Sequence, residues 1–307
     1  MRVMRASSSR GGYGALNGRA GTPLRHGAET MSPMRITVIT GGRPGARFVR
    51  DLVDHASASP TPAEISVIAN TGDDISLWGL RMSPDVDAVL AALADEPDDG
   101  SDSVARELTA LDVGPQWFPV TDRQVATHLA RTAWLGMGAT PSEVTARLAE
   151  RLGLADRGVR LLPMSDVPVE THAVLDGEEQ QQAVHVQQWR HELGCPPATR
   201  FIVAGMDRAA AAPGVLEAIR EADLVLLAPG DPVLSIGIVL GVPGIRDALR
   251  GTSAQVVGIT PELDDLGPSL AAVGVEPTAD AVAALYRDLR ATWLPSDASP
   301  ADALARV

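Results

Sequence analysis

The 307-residue chain contains no lysine; all 26 of its basic residues are arginine. That excludes a lysine Schiff base, and with it pyridoxal phosphate chemistry, and it excludes a Walker-type phosphate loop. Cysteine is nearly absent as well. The single Cys195 cannot close an internal disulfide and, with no His/Cys cluster near it, reads as a small buried or half-buried side chain. No run of about eighteen apolar residues occurs, and the N-terminus lacks the apolar stretch of a secretory signal, so a cytoplasmic location without a membrane partner is expected. Positive charge is in deficit. A net charge of -13 argues against nucleic acid as a partner, because phosphate backbones are gripped by basic surfaces. Any anionic ligand must be held by arginine, backbone amides or a metal.

What is present suffices for a large core: 45% of residues are hydrophobic and 21% charged. Residues 1–33 differ from the rest, being rich in Gly, Ser and Arg without periodicity, and are expected to be a disordered leader, with Met31 or Met34 as the start of translation. Then "MRITVITGGRPGARFVRDLVDHA" reads as strand, glycine turn and helix, the helical pattern running through Phe48, Leu52 and Val53. In a parallel sheet such a turn lies at the carboxyl edge, where Gly41, Gly42 and Gly45 let the backbone approach an anion. A plain structural turn is the equal alternative. "EISVIAN" (64–70), "TRFIVAG" (199–205), "ADLVLLAP" (222–229) and "AQVVGIT" (254–260) continue the strand series. The expected fold is α/β, a doubly wound, mostly parallel Rossmann-like sheet formed by 34–85 and 196–291. Residues 86–195 are expected to be a mostly helical insertion covering the carboxyl edge, with Pro141 at a helix start behind a Thr140 cap. Residues 292–307 read as a flexible tail.

The second strand runs directly into "NTGDDISLWGLRMSPDVD" (70–87), which places Asp73, Asp74, Asp85 and Asp87 close together. Carboxylates at that density repel one another unless solvent, a cation or basic groups offset the charge. The plainer readings are a solvated turn for Asp73 and Asp74, and helix N-terminal charge before "AVLAAL" for Asp85 and Asp87.

Six motifs in order carry a family resemblance over residues 35–260: "GGRPGARF", "NTGDD" with "GLRMSPDVD", "WFPVTDRQVATHLART", "LLPMSD", "HVQQW", and "APGDPVLSIG" followed by "VPGIRDALR". The chain resembles the 2-phospho-L-lactate transferases of the CofD/FbiA type, including the actinobacterial phosphoenolpyruvate transferase branch. The resemblance implies that a phospho-acid, 2-phospho-lactate or enolpyruvyl phosphate, moves from a guanosine-diphosphate-linked donor to a hydroxyl of the deazaflavin Fo, releasing GMP in deazaflavin coenzyme biosynthesis. It also implies Mg2+ at the aspartates and a homodimer. Asp73 or Asp74, with Asp85, are then the candidate metal ligands, and Asp73, Asp74 or Asp87 the candidate catalytic carboxylates. Nucleotide and phosphate contacts are assigned to Gly41, Gly42, Gly45, Arg47, Asn70, Pro229, Asp231, Ser235 and Gly237. Acceptor contacts fall to Trp78, His128 and Arg131, although a tryptophan or histidine in such a place is equally a core or interface residue.

Three places depart from the family's pattern, one of them the segment after "VVGIT", which is compressed where the family carries a glycine-rich stretch with a basic residue. Pro44 stands where a glycine is usual, and Gly230 and Asp231 stand where serine and asparagine are usual; an aspartate there repels a phosphate unless a donor or metal meets it. A relative with another acceptor, a nucleotide-binding regulatory protein of the same superfamily and an inactive paralogue are the alternatives.

Overall fold

The structure is a computed structural model and describes residues 32–94 and 100–306. Nearly all of the expected leader lies outside the described residues. Strand β1 (Met34–Thr40) leads through Gly41 into helix α1 (Gly42–Ala58), and β2 (Ala63–Ala69) follows. A hairpin of β3 (Ile75–Leu77) and β4 (Leu80–Met82) comes next, turning at Trp78 and Gly79 with φ of 53° and 75°. Positive φ at both central positions is the type I′ geometry that matches strand twist. Helices α2 (Pro84–Leu93), α3 (Ser103–Ala110), α4 (Asp122–Gly136) and α5 (Pro141–Arg151) form the helical segment. The expected start of α5 holds: Thr140 and Glu143 make a capping box ahead of Pro141.

Strands β5 (Val159–Pro163), β6 (Glu170–Leu175) and β7 (Gln182–His185), helix α6 (Val186–His191) and strand β8 (Arg200–Ala204) lead to α7 (Val215–Glu221) and β9 (Leu224–Leu227). A π-helical turn, Pro232–Ile236, enters α8 (Gly237–Gly241), followed by α9 (Ile245–Gly251) and β10 (Gln255–Ile259). The chain closes with α10 (Gly267–Ala271), α11 (Ala279–Ala284), β11 (Thr292–Leu294) and α12 (Pro300–Leu304).

Six parallel strands lie in the order β11-β10-β9-β1-β2-β5. Side chains alternate between two cores, as strand geometry requires. Ile36 and Val38 of β1, with Leu224 and Leu226 of β9, pack under α1, α2 and α5, whereas Ile39, Val225 and Leu227 pack under α7 to α11. Helices on both faces explain why β9 is buried at all four positions. The chain runs outward from β1 to β2 and β5, then returns to β9 on the other side. The strand order therefore switches between β1 and β9, which marks the crevice at their carboxyl ends as the ligand site of such a fold.

Three expectations about the sheet need correction. Strand β8 does not join the parallel series but pairs antiparallel with β6 in a separate sheet, β7-β6-β8. Its residues are at best half-buried throughout, so it lacks the two covered faces of a parallel strand. Strand β5, inside the presumed insertion, instead forms an edge of the main sheet. The segment read as a flexible tail supplies the opposite edge strand β11 and helix α12, whose Ala303 is fully buried in the α1-side core.

Candidate active site

The carboxyl ends of β1, β2 and β9 meet at a cluster of polar groups, and backbone packing makes the meeting close. A Cβ on Gly41 would come within 2.6 Å of both Asp85 Oδ2 and Ser235 Cβ, and one on Gly230 within 2.8 Å of the Gly41 carbonyl. Glycine at 41, and again at 230, is what allows the β1 and β9 loops to touch.

Asp73 and Asp74 are not in a solvated turn; both are buried, as are Asn70 and Asp85. Asn70 ties the group together. Its Nδ2 donates to Asp85 Oδ2 at 2.9 Å and, at 3.5 Å, to Asp73 Oδ1, while its Oδ1 accepts from the Gly72 amide at 2.9 Å. Asp85 sits in the first turn of α2, yet its Oδ1 accepts from the Gly42 amide at 2.7 Å, across at the start of α1. Its role is thus not confined to the α2 dipole. Asp73 Oδ2 accepts from Gln187 Nε2 at 2.7 Å.

Asp231, on the β9 side, meets the donors its position demands. Its Oδ1 caps the π-helical turn by accepting from the Val233 and Leu234 amides, both at 2.8 Å, and its Oδ2 pairs with Arg190 at 3.0 Å. Arg190 pairs with Asp231, and its charge also acts on Asp73 and Asp85. Burial, and for Asp73 next the charge of Asp85, pushes the Asp73 carboxyl well above its usual range; burial likewise raises Asp85. This end of the cluster is short of positive charge.

The other end is balanced at Asp87 but not at Asp74, because Arg81 is held more closely by Glu170, at 2.6 Å. Ser83 Oγ donates to Asp74 Oδ2 at 2.8 Å, and Arg81 lies 3.6 Å from that oxygen. Asp74 Oδ1 is buried with no partner, and burial lifts this carboxyl to about 7 against the pull of Arg81. Asp87, two residues beyond Asp85 and so on a different side of α2, is gripped through both oxygens by the buried Arg131, with Nη1 to Oδ2 at 3.0 Å. His128 Nδ1 stands 3.5 Å from Asp87 Oδ2, and burial lowers the His128 pKa to about 4, so the ring is neutral at pH 7. His128 and Arg131 face the same side of α4, as their spacing of three predicts. A cavity of about 540 Å3 between α2, α4 and α5 opens onto Asp87, Gln124, His128 and Arg151, with Leu90 and Leu148 in its walls.

These placements decide what the cluster can hold. Among the described residues no three His, Cys, Asp or Glu side chains form a complete metal cage. Magnesium does not ask for one; it takes one or two carboxylates and fills its shell with water and substrate phosphate. Two buried hard-oxygen donors, Asp73 and Asp85, with too little positive charge beside them, fit that ion.

A family model described as 2-phospho-L-lactate transferase CofD matches residues 36–303. The chain belongs to this family. It is 42% identical over 293 residues to the phosphoenolpyruvate transferase of Thermobifida fusca (strain YX), covering 89% of this chain and 90% of that one. To the phosphoenolpyruvate transferase of Streptomyces coelicolor it is 43% identical over 290 residues, covering 89% and 88%. Among solved structures, a member of the UPF0052 family from Bacillus halodurans aligns at a TM-score of 0.53 with 21% identity, over 85% of this chain and 86% of that one, which is a likeness of fold. The chain is accordingly a CofD-family phospho-acid transferase, an enzyme on a doubly wound α/β frame.

Within this CofD-family site the expected residues separate into groups. Gly41, Gly42, Asn70, Asp73, Asp85, Asp231 and Ser235 converge at the β1–β9 crevice. Pro229 and Gly237 flank the loop that carries Asp231, and a Cβ on Gly237 would strike the Pro232 carbonyl at 2.6 Å, so this glycine serves the π-helical turn itself. Gly45 packs against the buried Thr40, and Arg47 is exposed on α1. Trp78 packs in an apolar cluster with Ile75, Leu77, Trp117 and Phe118, whereas Asp87, His128 and Arg131 contact one another between α2 and α4. Gln187 and Arg190 reach the carboxylates without having been assigned there, although "HVQQW" was among the motifs. An uncharged amide and an arginine after a strand carry no spacing signal for a role. Only the docking of α6 brings them in.

Proposed function

We propose that the chain transfers enolpyruvyl phosphate from a guanosine-diphosphate-linked donor to the primary hydroxyl of the deazaflavin Fo, with Mg2+ held by Asp73 and Asp85. The observation that carries this reading is the buried pair Asp73 and Asp85, joined through Asn70 at the switch point of the sheet. The names of the relatives favour enolpyruvate over lactate as the acid.

The hydroxyl oxygen attacks the phosphorus that bears the acid, the bond from that phosphorus to the bridging oxygen breaks, and GMP leaves with the electron pair. Such a reaction needs positioning and charge stabilisation more than covalent catalysis. When bound, the cation supplies the charge that offsets the build-up on the bridging and leaving oxygens. Asn70 and the Gly42 amide hold Asp85 in place, and the Gly41–Gly230 contact brings the β1 and β9 loops around the diphosphate. Asp74 is the group that takes the hydroxyl proton: Ser83 and Arg81 steady one of its oxygens while the other has no partner. Asp87 is unsuited to that task because Arg131 occupies both of its oxygens. The cavity beside Asp87 and His128 is where the body of the acceptor docks.

The test is to incubate purified protein with Fo, Mg2+ and enzymatically generated guanosine-diphosphate-linked enolpyruvate or lactate. The phosphodiester of Fo and stoichiometric GMP are expected, faster with enolpyruvate. Absence of Mg2+ or Mn2+ uptake in the presence of the donor overturns the reading.

A further inference from the structure

The three-stranded sheet β7-β6-β8 contributes no strand to the main sheet, yet helix α6, which follows β7, delivers two side chains to the carboxylates, Arg190 to Asp231 and Gln187 to Asp73. Helix α6 has only six residues, too short to persist by itself, and is held at both ends. His185 caps its start, its Nδ1 accepting from the Gln187 amide at 3.1 Å. Because Nδ1 is the acceptor there, the proton of the neutral ring lies on Nε2, which donates to the Asp74 carbonyl at 3.2 Å. Trp189 anchors the far end, fully buried, with its indole nitrogen donating to the Pro196 carbonyl at 2.8 Å and its ring set edgewise against Phe201. Clamped in this way, the buried Gln187 directs Nε2 to Asp73 Oδ2 at 2.7 Å.

That bond occupies one of the two oxygens of Asp73 and leaves Oδ1, on the Asn70 and Asp85 side, as its oxygen for a cation. Asp85 is held more fully, its Oδ1 by the Gly42 amide and its Oδ2 by Asn70 Nδ2 at 2.9 Å, so that a cation there would share Oδ2 with the Asn70 amide. A carboxylate limited to one oxygen suits Mg2+ or Mn2+, which demand compact octahedral shells, and disfavours Ca2+, which readily takes both oxygens of a carboxylate.

We propose that Gln187 is a positioning residue that sets the cation preference of the site, by withholding one oxygen of Asp73. The inference rests on the reading of Asp73 and Asp85 as the cation ligands. Groups that orient metal ligands typically alter affinity by ~10–100-fold when removed.

The experiment measures cation binding alone, by Mn2+ electron paramagnetic resonance titration with Ca2+ and Mg2+ competition, on full-length protein without donor or acceptor. Gln187→Met keeps the length and the apolar stem but removes the donor. It is expected to lower Mn2+ and Mg2+ affinity by ~10-fold or more while Ca2+ affinity holds or rises, so that the Mn2+/Ca2+ preference shrinks by at least that factor. Should Gln187→Met fail to fold, His185→Asn preserves the cap but breaks the bond to Asp74, and a smaller shift in the same direction is expected. A parent that prefers Mn2+ and folded variants with an unchanged preference overturn the role of Gln187 alone. A parent that binds no cation overturns the ligand assignment beneath it as well.

Discussion

The two ends of the carboxylate array carry the same chemical groups under different electrostatic conditions. At the β1–β9 end, Arg190 pairs with Asp231 and its charge also acts on Asp73 and Asp85; at the α2–α4 end, Asp74 faces Arg81, and Asp87 is held by Arg131. Burial without close charge balance disfavours the ionised form, as at Asp73 and Asp85 and also at Asp74, where Arg81 at 3.6 Å does not offset it. The difference shows that the count of aspartates in the motif is not what makes a cation site. The unneutralised remainder is.

Breaking the deficient end has the largest expected effect on chemistry. Asp85→Asn still accepts from the Gly42 amide but loses the ionic ligand, and GMP release should fall by at least ~100-fold. Its melting temperature without Mg2+ should change little, because the relief of a buried charge is offset by the new amide nitrogen meeting the Asn70 Nδ2 donor. Breaking the balanced pair has the opposite signature. Asp87→Asn strands the buried Arg131 guanidinium and should cost ~3–5 kcal/mol in urea unfolding.

Acidification sharpens the contrast. A histidine in the unfolded chain takes up a proton near pH 6.5, whereas His128 in the folded protein resists until about pH 4. Between those values the unfolded state binds more protons, so the contribution of His128 to stability is complete above pH 6.5 and is lost as pH falls towards 4. Asp74, raised to about 7, runs the other way, since its folded form binds the proton first. The parent should therefore be compared with His128→Asn, against which it should lose unfolding free energy between pH 7.5 and pH 5. The smallest effect is expected away from the array: Thr140→Ala removes the α5 cap, costs ~1 kcal/mol, and leaves turnover at the parent rate.

Local patterns made much of this legible. Strands β1, β2, β9 and β10 announce themselves as short apolar runs, helices α2 to α5 by their spacing, and the α5 start by Thr140 and Pro141. The placement of "NTGDD" at a carboxyl edge followed from the strand before it. The exchange of β8 for β5 in the main sheet, and the edge strand β11, were not legible, because a short apolar segment does not state its hydrogen-bonding partner. Nor was the clasp on Asp87, whose partner Arg131 lies on a helix well removed in sequence, or the approach of Gln187 on helix α6 beside a separate sheet.

The amino-acid sequence by itself determined the chemistry available: carboxylates after the second strand, arginine as the sole strong cation, and glycines where two loops must touch. Only the tertiary structure decided which carboxylates are neutralised and which are left in deficit. Local sequence sets where a side chain begins, but its charge state is set by burial and by partners that folding brings from far along the chain.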